Sequence, residues 1–182
     1  MAEIKIPLKA KFFCGIIFSN KDKLNLAIEA LETKYGTIDL SCGPFPFAHT
    51  DYYEQMGSNL SKYFISFETL FDRENICDMK IFCNSVELNL SESNDNKKRI
   101  INIDPGYLTN SNVFLASCKE YYHRMYLQKG IYLENELCYS KKKFNFFEWT
   151  YPDYKSEEYL NFFYKLREKY RNQIWYLFIF FL

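Results

Sequence analysis

One stretch decides the fold: residues 12–36 read FFCGIIFSNKDKLNLAIEALETKYG. Residues 12–18 are an unbroken apolar run, which is typical of a strand buried on both faces. Ser19 and Asn20 can cap a helix, and its apolar residues follow at helical spacing: Leu24, Ile28, Leu31 and Tyr35. Gly36 suits the end of that helix. The chain therefore opens as a strand followed by a helix.

The same order recurs further along the chain. Residues 62–70 favour a strand, and Asp72 can cap a second helix with one apolar stripe: Ile76, Met79, Cys83, Val86 and Leu90. Residues 99–103 favour another strand. That strand should end in a type II turn over residues 104–107, because Pro105 and Gly106 occupy the positions that such a turn prefers.

A hairpin is the clearest local pattern in the second half. Residues 122–127 and 131–138 flank Gln128, Lys129 and Gly130, which predicts a three-residue loop. The implied cross-strand pairs are Leu127–Ile131, Tyr126–Tyr132, Met125–Leu133, Arg124–Glu134 and His123–Asn135. This register is self-consistent, because one face is apolar and opposite charges meet on the other.

These elements predict one α+β domain over residues 1–182, with a single mixed or antiparallel sheet and helices packed on one face. A ferredoxin-like split βαβ topology is favoured, with the late hairpin added to it. A last helix begins after Ser156. The apolar tail, residues 174–182, is too short to span a bilayer. It indicates a final element packed on the core, or else a membrane-surface contact or a contact between copies in a homo-oligomer.

Composition excludes several classes of function. Lys plus Arg and Asp plus Glu each number 23, so the formal charge is zero, which argues against nucleic-acid binding. Neither glycine-rich phosphate loop occurs. No signal peptide or transmembrane segment is evident, and the six cysteines form no Cys-x-x-Cys. We therefore expect reduced thiols and a cytoplasmic protein.

Two candidate sites lie on predicted loops and turns. Thr50, Asp51 and Tyr52 follow a double-proline segment and could bind a ligand's hydroxyl groups or a metal. The alternative is that they cap and begin a helix. Asp104, at the end of a predicted strand, could act as a general base. The alternative is that it only stabilises the predicted turn.

The predicted hairpin carries a third candidate site. Arg124 can grip a phosphate or carboxylate with two hydrogen bonds, Lys119 adds a point charge, and His123 can transfer a proton. Glu134 completes the set. The alternative is an ordinary cross-strand pair between Arg124 and Glu134 with a hydrogen-bonded histidine. Tyr132 and Trp149 are further candidate ligand contacts, with core packing as their alternative.

Three functional hypotheses follow. The first is a cleft for a phosphorylated small ligand or a nucleotide such as GTP, in which Lys119, His123 and Arg124 hold the anion. Asp51, Asp104 and Glu134 would then serve as metal ligands or as a general base. The residues identify neither the metal nor a cofactor, and they leave open whether the site does chemistry. The alternative is a non-enzymatic interaction module that uses exposed aromatics and the apolar tail. RNA binding by stacked aromatics is a third option, which the zero net charge disfavours.

The sequence also resembles a known prokaryotic family, domain of unknown function 4416. The motifs that carry the resemblance are YGTID (35–39), PFPF (44–47), TDYY (50–53), MG (56–57), FISF (64–67), NIDPGYL (102–108), LASCKEYYHRMYL (115–127), KGIY (129–132) and WTYPDY (149–154). Members are sometimes labelled GTP-binding proteins, which would imply a nucleotide ligand. The six cysteines and the apolar tail depart from the family's pattern.

Overall fold

The computed structural model describes residues 1–47, 56, 59–91 and 99–180. Its strands are β1 Ala10–Phe18, β2 Ile38–Pro46, β3 Ser61–Phe71, β4 Ile101–Leu108, β5 Asn112–Ser117, β6 Met125–Gln128, β7 Ile131–Ser140 and β8 Lys143–Phe146. Its helices are α1 Lys21–Tyr35, α2 Ile76–Leu90 and α3 Glu157–Phe180. The predicted α+β class is confirmed.

The first half of the molecule has the predicted ferredoxin-like topology. Its elements run β1-α1-β2-β3-α2-β4, and the sheet order is β2-β3-β1-β4 with every neighbour antiparallel. The same sheet continues through β5, β7 and β6, while β8 pairs with β7. The described strands therefore form one eight-stranded antiparallel sheet.

Helices cover both faces of this sheet. Helices α1 and α2 share a core with the β1 side chains Phe12, Cys14 and Ile16. Helix α3 packs on the opposite face, where Phe13 meets Phe163. The two helices of the split βαβ unit therefore pack on one face of the sheet, as predicted. Helix α3 covers the other face and adds a third layer.

The late hairpin keeps most of its predicted register. Met125 pairs with Leu133 and Tyr126 with Tyr132, as expected. Gln128, however, takes the place of Leu127 opposite Ile131. The turn is therefore two residues long, and both have positive φ, 54° at Lys129 and 74° at Gly130. A two-residue turn of this kind matches the twist of the flanking strands.

The predicted turn at residues 104–107 is wrong. These residues lie inside β4 and pair with β1. Gly106 is needed for close approach instead, because a Cβ there would lie 2.2 Å from the Phe114 carbonyl oxygen and 2.6 Å from the Phe13 ring. Pro105 sits where β4 begins to leave β5, so its missing N–H costs no ladder hydrogen bond on that side.

The sheet splits between β4 and β5. Strand β4 pairs with β1 along its whole length, but its pairing with β5 ends at Gly106 opposite Leu115. Two side chains of α2 meet the uncovered edge of β4. The Ile103 N–H donates to Glu87 Oε1 at 2.6 Å, and Lys80 Nζ donates to the Ile103 carbonyl oxygen at 3.0 Å. Helix side chains therefore satisfy backbone groups that a neighbouring strand would otherwise bind.

The C-terminal tail continues α3. The helix runs unbroken to Phe180, and Trp175 and Tyr176 on it are 61% and 56% exposed. In the part of the chain that the structure describes, no helix combines the length and apolar character needed to cross a membrane.

Candidate functional site

A cavity of about 630 Å³ opens where β4 and β5 diverge. Its walls come from β4, β5, α2 and the segment 151–154. In the part of the chain that the structure describes, five cationic and four acidic side chains line it: Lys62, Lys80, Arg99, Lys119, Arg124, Glu87, Asp104, Glu134 and Asp153. Such a dense set of both charges in one hollow is typical of a binding site for a polar ligand.

Lys80 and Asp104 form the ion pair at the split itself. Lys80 Nζ lies 3.3 Å from Asp104 Oδ1, and the Lys80 side chain is only 7% exposed. Burial would raise the pKa of Asp104, but the positive charges of Lys80 and Lys62 outweigh it, and the pKa is lowered. The pKa of Lys80 is raised, because Asp104 and Glu87 outweigh its burial. Both groups are therefore charged at neutral pH.

A hydrogen-bonded row extends from this pair along β4. Arg99 Nη1 donates to Asn102 Oδ1 at 2.8 Å, and Asn102 Nδ2 donates to Asp104 Oδ2 at 2.6 Å. Arg99 also pairs with Glu87 at 3.3 Å. The row, Arg99–Asn102–Asp104, thus presents a cation, an amide and a carboxylate to the cavity in a fixed order.

Arg124 acts as a clamp in the opposite wall. Its Nε and Nη2 donate to the two carboxylate oxygens of Glu134, at 3.0 and 3.3 Å. Its Nη1 donates to the Lys119 carbonyl oxygen, and Nη2 also donates to the Tyr151 hydroxyl. Glu134 raises the pKa of Arg124 against the effect of burial. Since all three guanidinium nitrogens are engaged, Arg124 holds this wall together and has little donor capacity left for a ligand.

Lys62 and Asp153 form a second enclosed ion pair in the cavity. Their side chains are 5% and 6% exposed, and Lys62 Nζ lies 2.9 Å from Asp153 Oδ2. The ammonium also lies 4.7 Å from the centre of the Tyr154 ring, within cation–π range. This pair joins β3 to the segment 151–154.

Glu136 lies behind the same segment. Its residue is fully buried, and Oε1 accepts the Tyr151 N–H at 2.5 Å. Oε2 has no hydrogen-bond partner among the described residues. Burial raises the pKa of Glu136 to about 8, with the Glu134 and Asp153 carboxylates acting in the same direction.

Four of the predicted site residues line the cavity: Asp104, Lys119, Arg124 and Glu134. The predicted contact between Arg124 and Glu134 is present. Thr50, Asp51 and Tyr52 lie outside the described residues.

The other three predicted residues do not line it. His123 Nε2 contacts Glu134 Oε2 at 2.7 Å from behind, and its ring stacks on Trp149 at 4.9 Å. Trp149 also stacks on Phe147 and donates its indole N–H to the Asn135 carbonyl oxygen. The Tyr132 ring packs on Tyr126. These three residues therefore support the hairpin rather than touch the cavity.

The residues of the cavity that sequence reasoning missed include five charged ones and one amide: Lys62, Lys80, Glu87, Arg99, Asp153 and Asn102. One signal was available for α2. Lys80 and Glu87 recur with Ile76 and Cys83 on the buried stripe of that helix, and a charge on an apolar stripe needs a partner. Lys62 and Asp153 gave no comparable signal, because their partners come from segments far apart in the chain.

No metal site is evident in the ranges 1–47, 59–91 and 99–180. No cluster of three His, Cys, Asp or Glu side chains there has the arrangement that would hold a metal ion.

Comparison with known families identifies the domain. Residues 8–170 match the family described as a domain of unknown function, DUF4416. The chain belongs to the DUF4416 family. All residues that line the cavity fall inside the matched range, so the cavity belongs to the DUF4416 domain, whereas Trp175 and Tyr176 lie beyond it. Searches of curated proteins and of solved structures found no match for this DUF4416 chain.

Proposed function

We propose that this protein binds a small phosphorylated ligand, a sugar phosphate or a nucleotide such as GTP, in the cavity between β4 and β5, and that it does so in the cytoplasm. The observation that carries the proposal is the set of five cationic side chains around one hollow of about 630 Å³. Lys and Arg are the side chains that bind phosphate through charge-assisted hydrogen bonds.

Two of the described cations of the cavity, Arg99 and Lys119, are more accessible than the other three, and these are the ones that a ligand can reach. Lys62, Lys80 and Arg124 have side chains that are 5%, 7% and 9% exposed, against 38% for Arg99. Lys119 is also an exposed residue. Arg99 and Lys119 are therefore the proposed phosphate ligands, and the buried cations keep the walls in place and add to the positive potential.

The first test is a thermal-shift and calorimetric screen with glucose 6-phosphate, GTP, GMP and inorganic phosphate. A compound present at about a hundred times its dissociation constant stabilises the protein by about 2.7 kcal/mol, which the melting temperature reports. Lys119→Gln should weaken binding about ten- to a hundredfold, because a charge-assisted hydrogen bond contributes about 1.5–3 kcal/mol.

Lys129→Gln is the matched control. Lys129 is an exposed lysine that pairs with Asp78 and does not line the cavity. The Lys129→Gln variant should bind every compound as tightly as the wild type does. The proposal is wrong if no phosphorylated compound shifts the melting temperature, or if both variants weaken binding equally.

A second candidate function is association with another protein, including a second copy of this chain. The observation that favours it is the pair of exposed rings at the end of α3, Trp175 and Tyr176. Large exposed aromatics are typical of protein interfaces.

A further inference from the structure

The lining of the cavity discriminates between the two ligand types named above, and this step rests on the proposed function. Among the described residues, five cations face four carboxylates in the cavity, so their surplus is a single positive charge. A phosphate monoester carries about −1.5 to −2 charges at neutral pH. A nucleoside triphosphate carries several more, and they would lie beside Glu87, Asp104, Glu134 and Asp153, with repulsion that the single surplus charge cannot offset.

The aromatic side chains of the cavity also argue against a nucleotide ligand. A nucleobase binds by stacking on an open aromatic face. Of the aromatic side chains that line the cavity in the described chain, Phe47 and Tyr154 are 8% and 1% exposed. Tyr151 is 40% exposed, but Arg124 donates to its hydroxyl and so fixes the ring in the wall. Among the described residues, the cavity thus offers a base a single partly exposed ring, that of Tyr151.

The carboxylates differ in accessibility, and one of them can receive a ligand's hydroxyl groups. Asp104 has a side chain that is 28% exposed, whereas those of Glu87, Glu134 and Asp153 are 8%, 3% and 6% exposed. A carboxylate has about four acceptor positions. Lys80 and Asn102 each donate once to Asp104, so acceptor capacity remains.

From these contacts we infer that the ligand is a phosphorylated polyol, a sugar phosphate, and not a nucleotide. Its phosphate binds Arg99 and Lys119, and its hydroxyl groups donate to Asp104 and hydrogen-bond Asn102. The row Arg99–Asn102–Asp104 provides a cation, an amide and a carboxylate in one line. This order fits a molecule whose phosphate is joined to a chain of hydroxyl-bearing carbons.

Isothermal titration calorimetry on the full chain tests the inference with glucose 6-phosphate, ribose 5-phosphate, glucose, inorganic phosphate, GMP and GTP. At least one of the two sugar phosphates should bind tenfold or more tightly than inorganic phosphate, GMP and GTP, and glucose should bind most weakly. If GMP or GTP binds as tightly as both sugar phosphates, the inference is wrong and the proposed function stands. If no phosphorylated compound binds, both are wrong.

Asp104→Asn should affect the binding of sugar phosphate and of inorganic phosphate differently. The variant should weaken sugar phosphate binding about tenfold, because it loses the charged acceptor for the hydroxyl groups. It should leave inorganic phosphate binding equal or stronger, because a like charge is removed. Equal gains for both compounds would show that Asp104 contacts no hydroxyl group and would overturn the inference.

Arg99→Gln covers the case in which Asp104→Asn does not fold. Arg99 is more exposed than Lys62, Lys80 and Arg124, the other ion-paired cations that line the cavity, so its loss should perturb the fold less than theirs. The Arg99→Gln variant should weaken the binding of both inorganic phosphate and the sugar phosphates. Unchanged binding of both would contradict the placement of the phosphate.

Discussion

Glu136 links the stability of the protein to pH. Its pKa is about 8 in the folded protein, against 4.5 for an ordinary glutamate. The folded state therefore holds a proton that the unfolded state releases between these values. The stabilisation is fully present below about pH 4.5 and is lost as the pH rises through about 8.

Glu136→Gln should remove this pH dependence, because glutamine keeps the shape and the acceptor for the Tyr151 N–H but does not titrate. Between pH 5 and 8 the free energy of unfolding of the wild type should fall relative to that of the variant, by at most about 1.4 kcal/mol per pH unit. Urea unfolding at several pH values measures this difference in the free energy of unfolding. Glu148→Gln, at an exposed position nearby in the chain, should retain the wild-type slope. Parallel profiles for the wild type and Glu136→Gln would contradict the prediction.

At the scale of elements, α2 completes the edge of β4. The Glu87 carboxylate accepts the Ile103 N–H, and burial raises the pKa of Glu87 while Lys80 opposes the shift. The interaction therefore depends on an acceptor at this position more than on a negative charge.

Substitutions at Glu87 should separate these two roles. Glu87→Gln retains an acceptor and should change stability little. Glu87→Leu leaves a buried backbone N–H without a partner and should cost about 1–3 kcal/mol. Chemical denaturation measures both, with Glu29→Leu on the exposed side of α1 as a control. Equal losses for the glutamine and leucine variants would rule out the acceptor role.

The elements also show what a sequence pattern can and cannot predict. Helix α1 was predictable because its signals are local: Asn20 accepts the N–H groups of Asp22 and Lys23, and Gly36 ends the helix with a φ of 88°. The Arg124–Glu134 contact was predictable because a hairpin aligns neighbouring segments. The prediction of a turn at residues 104–107 was wrong because Pro105 and Gly106 are common in turns and also suit a strand where it diverges from its neighbour. The Lys62–Asp153 pair spans 91 positions, and no local pattern encodes it.

At the scale of the whole molecule, the end of α3 bears on oligomeric state. Trp175 and Tyr176 lie beyond the residues that match DUF4416, and both are more than half exposed. If they form an interface between copies, the wild type should associate with increasing concentration in sedimentation velocity. The Trp175→Ser, Tyr176→Ser double variant should then remain monomeric.

Tyr126→Ser is the matched control for that experiment. Tyr126 is 61% exposed on the edge strand β6, so it is an equally exposed aromatic on a different element. It should associate like the wild type. A wild type that stays monomeric at every concentration would contradict the interface on α3, and so would a monomeric Tyr126→Ser variant.

The split between β4 and β5 has one more consequence. Elsewhere the sheet separates two cores that share no side chains, one under α1 and α2 and the other under α3. At the split, residues of α2 and of the segment 151–154 border the same volume. A molecule bound in this cavity would contact both layers at once, so its binding would stabilise the packing on both faces of the sheet.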